Sequence, residues 1–217
     1  MSKMFPFITV PDFNPLGGEC KHNCSYSWCK QLINRYPVLK KKYQGTPFID
    51  EKQLKRVFKS TDFVFVCDMC DLFGDWVPSE LILRILDYIE NSPAQFLLLT
   101  KNPKRYHEFP LPKNCVAGAT IESDWNLDVT KAPDPMKRIE AMRGLHHRKM
   151  VSVEPIMVHS DAFPFMVASI HPEFVAVGYD NYNNHLQEPS LSETESLISV
   201  LESFGIKVYR KTIREKN

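Results

Sequence analysis

The succession of apolar and amphipathic stretches predicts an α/β fold, a partial (β/α)6-type open TIM barrel with parallel strands, formed as a single domain over residues 1–217. Three observations predict it. The apolar runs are continuous rather than alternating with polar residues, as in strands buried on both faces. Stretches of helical periodicity lie between most successive runs. And 217 residues fall short of the ~250 that a closed eight-fold barrel takes, which favours an incomplete, laterally open one. The competing doubly wound sheet would carry G-x-G-x-x-G after its first strand, and none is present.

In chain order, Phe7–Val10 is the expected first strand. Ser25–Arg35 and Asp50–Lys59 follow as expected helices, separated by Pro37 and the Gly45-Thr46-Pro47 turn. Phe63–Val66 is the second strand. Ser79–Glu90 sets Leu81, Ile82, Ile85, Leu86 and Ile89 on one helical stripe, with Pro78 at its start. Phe96–Leu99, Val116–Ile121, Met150–Val153 and Phe174–Val177 are further strands, and Met136–Leu145 is a helix among them. Ser192-Glu193-Thr194-Glu195 reads as a capping-box start for a helix that stops at Gly205. Ile206–Tyr209 is the last strand.

Composition sets broad limits. With 43% hydrophobic and 24% charged residues and a net charge of +1, the chain is globular and its overall balance points to no particular partner. No apolar run approaches the ~20 residues that cross a bilayer, and Met1-Ser2-Lys3-Met4-Phe5-Pro6 lacks the features of a secretory signal. The expected location is cytoplasmic, where the six cysteines would not serve as structural disulfides. The clusters Lys40-Lys41-Lys42 and Arg210 to Lys216 read as solvated faces before phosphate-binding surfaces.

Cys20, Cys24 and Cys29 stand in C-x3-C-x4-C spacing on a loop between the first strand and a helix. Three thiolates so close can hold three irons of a 4Fe–4S cube and leave the fourth open to a ligand. A Cys3His zinc site using His22 is the other reading, although zinc loops usually bring their ligands in two separated pairs. Ligands at strand C-terminal ends weigh most in a parallel α/β fold, because active sites gather there.

The cysteine loop is similar to that of the radical S-adenosylmethionine (SAM) superfamily, usually spaced C-x3-C-x2-C with an aromatic before the last cysteine, as Trp28 is here. Cys67-Asp68-Met69-Cys70-Asp71-Leu72-Phe73, followed by Val77-Pro78, resembles the SDLF…VP segment of the phage Gp37/Gp68-like (DUF5131) group, distant relatives of the spore photoproduct lyases. Leu98-Leu99-Thr100-Lys101-Asn102-Pro103 is similar to that group's LLTKRP, Ala117–Glu122 to its GVSVE, and Val151-Ser152-Val153-Glu154-Pro155 to its SVEP. The order holds from about Asn14 to Gly178. Two features depart from the pattern: the two extra residues between Cys24 and Cys29, and a cysteine spacing narrower than that group's own.

The resemblance implies a [4Fe-4S] cluster on Cys20, Cys24 and Cys29, with S-adenosylmethionine chelating the open iron. Reductive cleavage would then give a 5′-deoxyadenosyl radical that abstracts hydrogen from the substrate. Met69 and Asp71 would face the cofactor's amino group, with a turn aspartate the other reading of Asp71. Thr120, Glu122 and Ser123 would meet its ribose and carboxylate. Arg138 would pair with that carboxylate or lie on the surface. Cys70, Glu154 and Lys101 are the candidate catalytic residues: Cys70 near its strand end, Glu154 at the mouth, and Lys101 as partner of Glu154 or contact for an anionic substrate. Cys67 with Cys70 can also be read as a redox pair or as part of a second metal site, and Cys67 alone as a packed thiol. The loop Tyr179–His185 offers substrate contacts or is plain surface, and His146-His147 reads as a helix end. The implied partners are a reductant such as flavodoxin or ferredoxin and an unidentified substrate, nucleic acid or protein, with no membrane. Two alternatives stay open: a zinc-stabilised binding module, and an iron–sulfur protein that does not cleave the cofactor.

Overall fold

The computed structural model describes residues 5–214. Seven strands form one parallel sheet: β1 (Val10–Phe13), β4 (Phe63–Val66), β5 (Gln95–Thr100), β6 (Cys115–Thr120), β7 (Lys149–Val153), β8 (Phe174–Val177) and β9 (Lys207–Arg210), neighbours in that order. Two short strands, β2 (Leu16–Gly17) and β3 (Phe48–Ile49), pair antiparallel apart from it. The sheet curls into a half-barrel with β1 and β9 as its edges. The partial α/β barrel expected from the sequence is therefore the fold observed.

Strand register explains the continuous apolar runs. On β4 to β8, Val64, Val66, Phe96, Leu98, Ala117, Ala119, Val151, Val153, Val175 and Val177 enter the core beneath the helices. The alternate residues Phe65, Leu97, Val116, Met150, Phe174 and Ala176 fill the concave face. Both faces are buried, so both period-two positions are predominantly apolar.

The first strand starts later than expected. Phe5 and Ile8 are buried in the concave cluster. The Phe7 ring lies 5.5 Å from Phe63, 4.8 Å from Phe174 and 4.8 Å from Tyr209. This aromatic plug fills the gap that the unpaired edges leave, and β1 begins only at Val10.

The described residues form six helices: α1 (Trp28–Arg35), α2 (Pro37–Lys42), α3 (Ser79–Glu90), α4 (Pro135–Arg143), α5 (Phe163–Ala168) and α6 (Leu191–Ser203). In α3, Ile82, Ile85, Leu86 and Ile89 are buried, as its periodicity requires. Asp134 caps α4 by accepting from Met136 N. The capping box of α6 is Ser190 with Glu193, two residues before the expected start, and Gly205 ends the turn at φ 75°. The helix expected over Asp50–Lys59 is only a 3-10 turn, Gln53–Lys55: the segment is anchored through side chains, Arg56 to the Asp12 carbonyl at 2.9 Å and Lys42 to Asp50 at 2.6 Å. The short helix α5 and the 3-10 turn Pro103–Glu108 carried no periodic signal. Among the described residues no helix is long and apolar enough to cross a membrane.

Candidate active site

The C-terminal ends of the strands carry the polar residues of the chain's interior. Gly17 and Gly18 start the cysteine loop. A Cβ on Gly17 would lie 2.4 Å from the Phe48 ring, and Gly18 sits at φ 104°, where only glycine is unstrained. The loop is fastened on two sides. Gly18 N donates to the Lys42 carbonyl at 2.9 Å, and Glu19 N to that of Gly45 at 3.1 Å. On the far side, Ser25 N reaches the Val129 carbonyl at 2.8 Å, and the His22 carbonyl accepts from Lys131 N at 2.6 Å.

The thiols make only weak contacts. Cys24 Sγ is 3.2 Å from Thr130 Oγ1, Cys29 Sγ donates to the Asp68 carbonyl at 3.5 Å, and Cys70 Sγ donates to that of Leu16 at 3.5 Å. Cys20, Cys24 and Cys29 lie within electrostatic range of one another, as do Cys70, Cys67 and Cys20. Burial, reinforced by Asp71, pushes the Cys20 thiol up to about 12. Burial and Asp68 raise Cys29 in the same way. These are neutral thiols until a metal replaces their protons.

Three thiols in one loop are soft donors of the kind that hold an iron–sulfur cluster, and a structural zinc site would need a fourth ligand beside them. His22 is committed, since its Nε2 is 2.8 Å from Asp71 Oδ2.

Beside the thiols is a layer of paired carboxylates. Asp71 follows β4 and takes four contacts: Thr100 Oγ1 at 2.7 Å, Phe73 N at 2.9 Å, Lys101 N at 2.9 Å and His22 Nε2. Burial alone would raise its pKa, but His22 and these donors outweigh burial and hold it below the ordinary value. Asp71 thus ties His22 of the cysteine loop to Thr100 and Lys101 at the end of β5 and holds its own turn through Phe73 N.

Glu122, after β6, is the centre of the layer. It accepts from Arg138 at 2.6 Å, and also from Lys101 Nζ and Tyr26 Oη. Arg138 is 1% exposed, so it is no surface arginine; it also donates to the Pro133 carbonyl at 2.6 Å and that of Thr120 at 2.9 Å. Burial works against the Glu122 carboxylate, yet Lys101 and Arg138 keep it well below the usual range.

Lys101 therefore partners Glu122 rather than Glu154. Glu154 instead takes Lys211 Nζ at 2.7 and 2.5 Å, because β9 runs parallel to β8 and delivers Lys211 to the same mouth. Burial leaves the Glu154 pKa raised even beside that lysine. Ser123 Oγ donates to the Val158 carbonyl at 2.7 Å and accepts from Trp125 N at 2.9 Å. Thr120 is buried below Glu122, and Met69 N donates to Asn14 Oδ1 at 3.4 Å.

Sequence reasoning missed Tyr26, His22 as partner of Asp71, and Lys211. Two of these had a signal. Tyr26 lies in the stretch that makes the cysteine spacing two residues longer, and Lys211 directly follows the last strand, where mouth residues stand.

Residues 11–179 match the family described as Protein of unknown function (DUF5131). The chain belongs to that family. No curated protein matches it in sequence. Among solved structures, a spore photoproduct lyase variant with bound AdoMet and dinucleoside spore photoproduct is similar at TM-score 0.63 and 10% identity, over 98% of this chain and 80% of its own. SuiB of Streptococcus suis bound to S-adenosylmethionine is similar at TM-score 0.57 and 8% identity, over 95% of this chain and 51% of its own. At such identities the likeness is one of fold: this DUF5131 member shares the partial barrel of these structures.

Proposed function

We propose that the chain is a radical SAM enzyme acting on an unidentified, possibly macromolecular, substrate. The observation that carries this reading is the three-thiol loop, held at the strand-end mouth of a fold shared with two solved structures that carry S-adenosylmethionine. Cys20, Cys24 and Cys29 would hold a [4Fe-4S] cluster. Together with S-adenosylmethionine, the cluster would supply a one-electron cleavage that starts hydrogen abstraction.

The chain's own residues then have defined tasks. Met69 and the backbone around it face the loop and would border the cofactor's amino group. Asp71 acts through others, by fixing His22 and the backbone of Lys101. Arg138 orients Glu122, and the ionised Glu122, with Thr120 and Ser123 beside it, would accept from ribose hydroxyls. Cys70, Lys101 and Glu154 line the mouth where a substrate would enter. With its pKa raised by burial and Lys211 bound to it, Glu154 is the carboxyl there best suited to hold a proton. A low-potential reductant such as flavodoxin or ferredoxin would deliver the electron, and a reducing compartment such as the cytoplasm suits the cluster.

The test is anaerobic reconstitution with iron and sulfide. Electron paramagnetic resonance of the reduced protein is then recorded with and without S-adenosylmethionine, and 5′-deoxyadenosine is assayed. A 4Fe–4S signal that changes on adding the cofactor is the expected result. Zinc in place of iron, or a signal indifferent to the cofactor, would overturn the reading in favour of a binding module or an electron carrier.

A further inference from the structure

Charge is not spread evenly along this chain. Between Glu19 and Asp50 there is no acidic residue, while Lys21, Lys30, Arg35, Lys40, Lys41 and Lys42 all fall there, in a chain of net charge +1. The excess is concentrated in the segment that carries the cysteine loop, α1 and α2.

The structure keeps most of this charge available. Lys42 pairs with Asp50 at 2.6 Å. Lys21, Lys30, Arg35, Lys40 and Lys41 are exposed, and none has an acidic partner within 4 Å among the described residues. Neither α1 nor α2 contains a buried residue, so core packing does not account for them. Apolar groups stand among the cations. Tyr36 is 47% exposed with the Arg35 guanidinium 5.6 Å over its ring, and Phe48 and Val38 are also exposed. The segment is tied to the cysteine loop at Gly18 and Glu19, so whatever docks on it lies beside the mouth.

We infer that α1, α2 and the cysteine loop form a docking surface for a single-stranded nucleic acid. The lysines and Arg35 would track its phosphates, and Tyr36 would stack on a base. Unpaired cations interleaved with exposed aromatic rings are what strand binding uses. An acidic protein would be drawn by the same charges, but protein interfaces are depleted of lysine, and four of these five cations without an acidic partner are lysines, Lys30 donating only to Asn23 and the Cys24 carbonyl. The inference goes beyond the cofactor reading and does not require a loaded cluster.

The experiment is fluorescence anisotropy of labelled single-stranded DNA and RNA oligonucleotides, about 20 nucleotides long, with the full chain before and after anaerobic iron–sulfide loading. Binding before loading separates this proposal's fate from that of the cofactor reading. Expected is an affinity that falls between about 50 and 200 mM salt, with a log–log slope of about −3 from four or five phosphate contacts. Lys40→Ala with Lys41→Ala should reduce that slope by about 1.4, whereas Tyr36→Ala should weaken binding about tenfold with the slope unchanged. Arg35→Ala alone repeats the charge test if the double variant loses its thermal transition. Two results would overturn the proposal. One is no binding to either oligonucleotide at low salt. The other is equal affinity for polyglutamate or phosphatidylserine vesicles with no effect of Tyr36→Ala, the pattern of an acidic protein partner or a lipid surface.

Discussion

At the mouth of the sheet, Asp71 and Glu122 are each held by several protein donors and Glu154 by both of its oxygens, while Cys20, Cys24, Cys29 and Cys70 have sulfur contacts no stronger than those to a carbonyl or a hydroxyl. Both sets are largely buried, yet burial acts on them in opposite ways. The carboxylates of Asp71 and Glu122 stay ionised because cations and N–H groups compensate the lost water. For the Cys20 and Cys29 thiols backbone N–H groups offset burial only in part, and they are pushed toward the neutral form. The protein itself compensates the Asp71 and Glu122 carboxylates, whereas the thiols lack an equal compensation, which suits them to the cluster proposed above.

The largest effect that would test this contrast is on metal content. Cys20→Ser or Cys29→Ser should abolish iron and labile sulfide binding after reconstitution, yet shift the unfolding free energy of the metal-free chain by less than about 1 kcal/mol. Denaturant titration beside iron analysis checks both halves. A large loss of stability in the metal-free variant would show that the thiols are ordinary packing residues.

Glu122→Gln should show the reverse. It leaves Lys101 and Arg138 without their shared charge, and Arg138 cannot reach water. Removing one partner of a buried pair costs about 3–5 kcal/mol, enough to unfold a marginal domain in mild urea. Tyr26→Phe probes the join between the two sides, because the phenol of the cysteine loop donates to Glu122 across the mouth. Losing that charged hydrogen bond should cost about 1.5–3 kcal/mol, measured in the same titration. A cost near zero would show that the loop is held by its backbone bonds alone.

The contrast also explains what could be read from the sequence. The strands were legible because both faces of β4 to β8 are buried, and α3 because its apolar stripe is strict. The cysteine loop and the residues at the strand ends were legible as a set, because register brings all strand ends to one mouth. The partners were not. Lys101 is sequence-adjacent to nothing that distinguishes Glu122 from Glu154, and only the curl of the sheet assigns one lysine to each. The strand expected over Phe7–Val10 begins only at Val10, because apolar periodicity does not say whether a backbone finds a hydrogen-bonded neighbour. The capping box was placed two residues late because Ser190 and Ser192 offer the same chemistry, and backbone geometry decides between them.

The smallest expected effect separates two carboxylates of the same layer by pH. Glu122 titrates below its ordinary 4.5 in the folded state. Its stabilisation is therefore fully present above pH 4.5 and is lost as pH falls from there toward the depressed folded value. The gap between the native chain and Glu122→Gln should close over that acid range. Glu154 titrates above 4.5 when folded, so the folded state takes up its proton first. As pH falls through its folded pKa toward 4.5, the native chain should gain stability relative to Glu154→Gln, by less than about 1 kcal/mol, since Lys211 offsets much of the burial. Thermal unfolding midpoints of the three chains from pH 7 to about 2.5 give both slopes. Slopes of the same sign would mean that the two glutamates share one environment, against the separate lysine partners that the structure gives them.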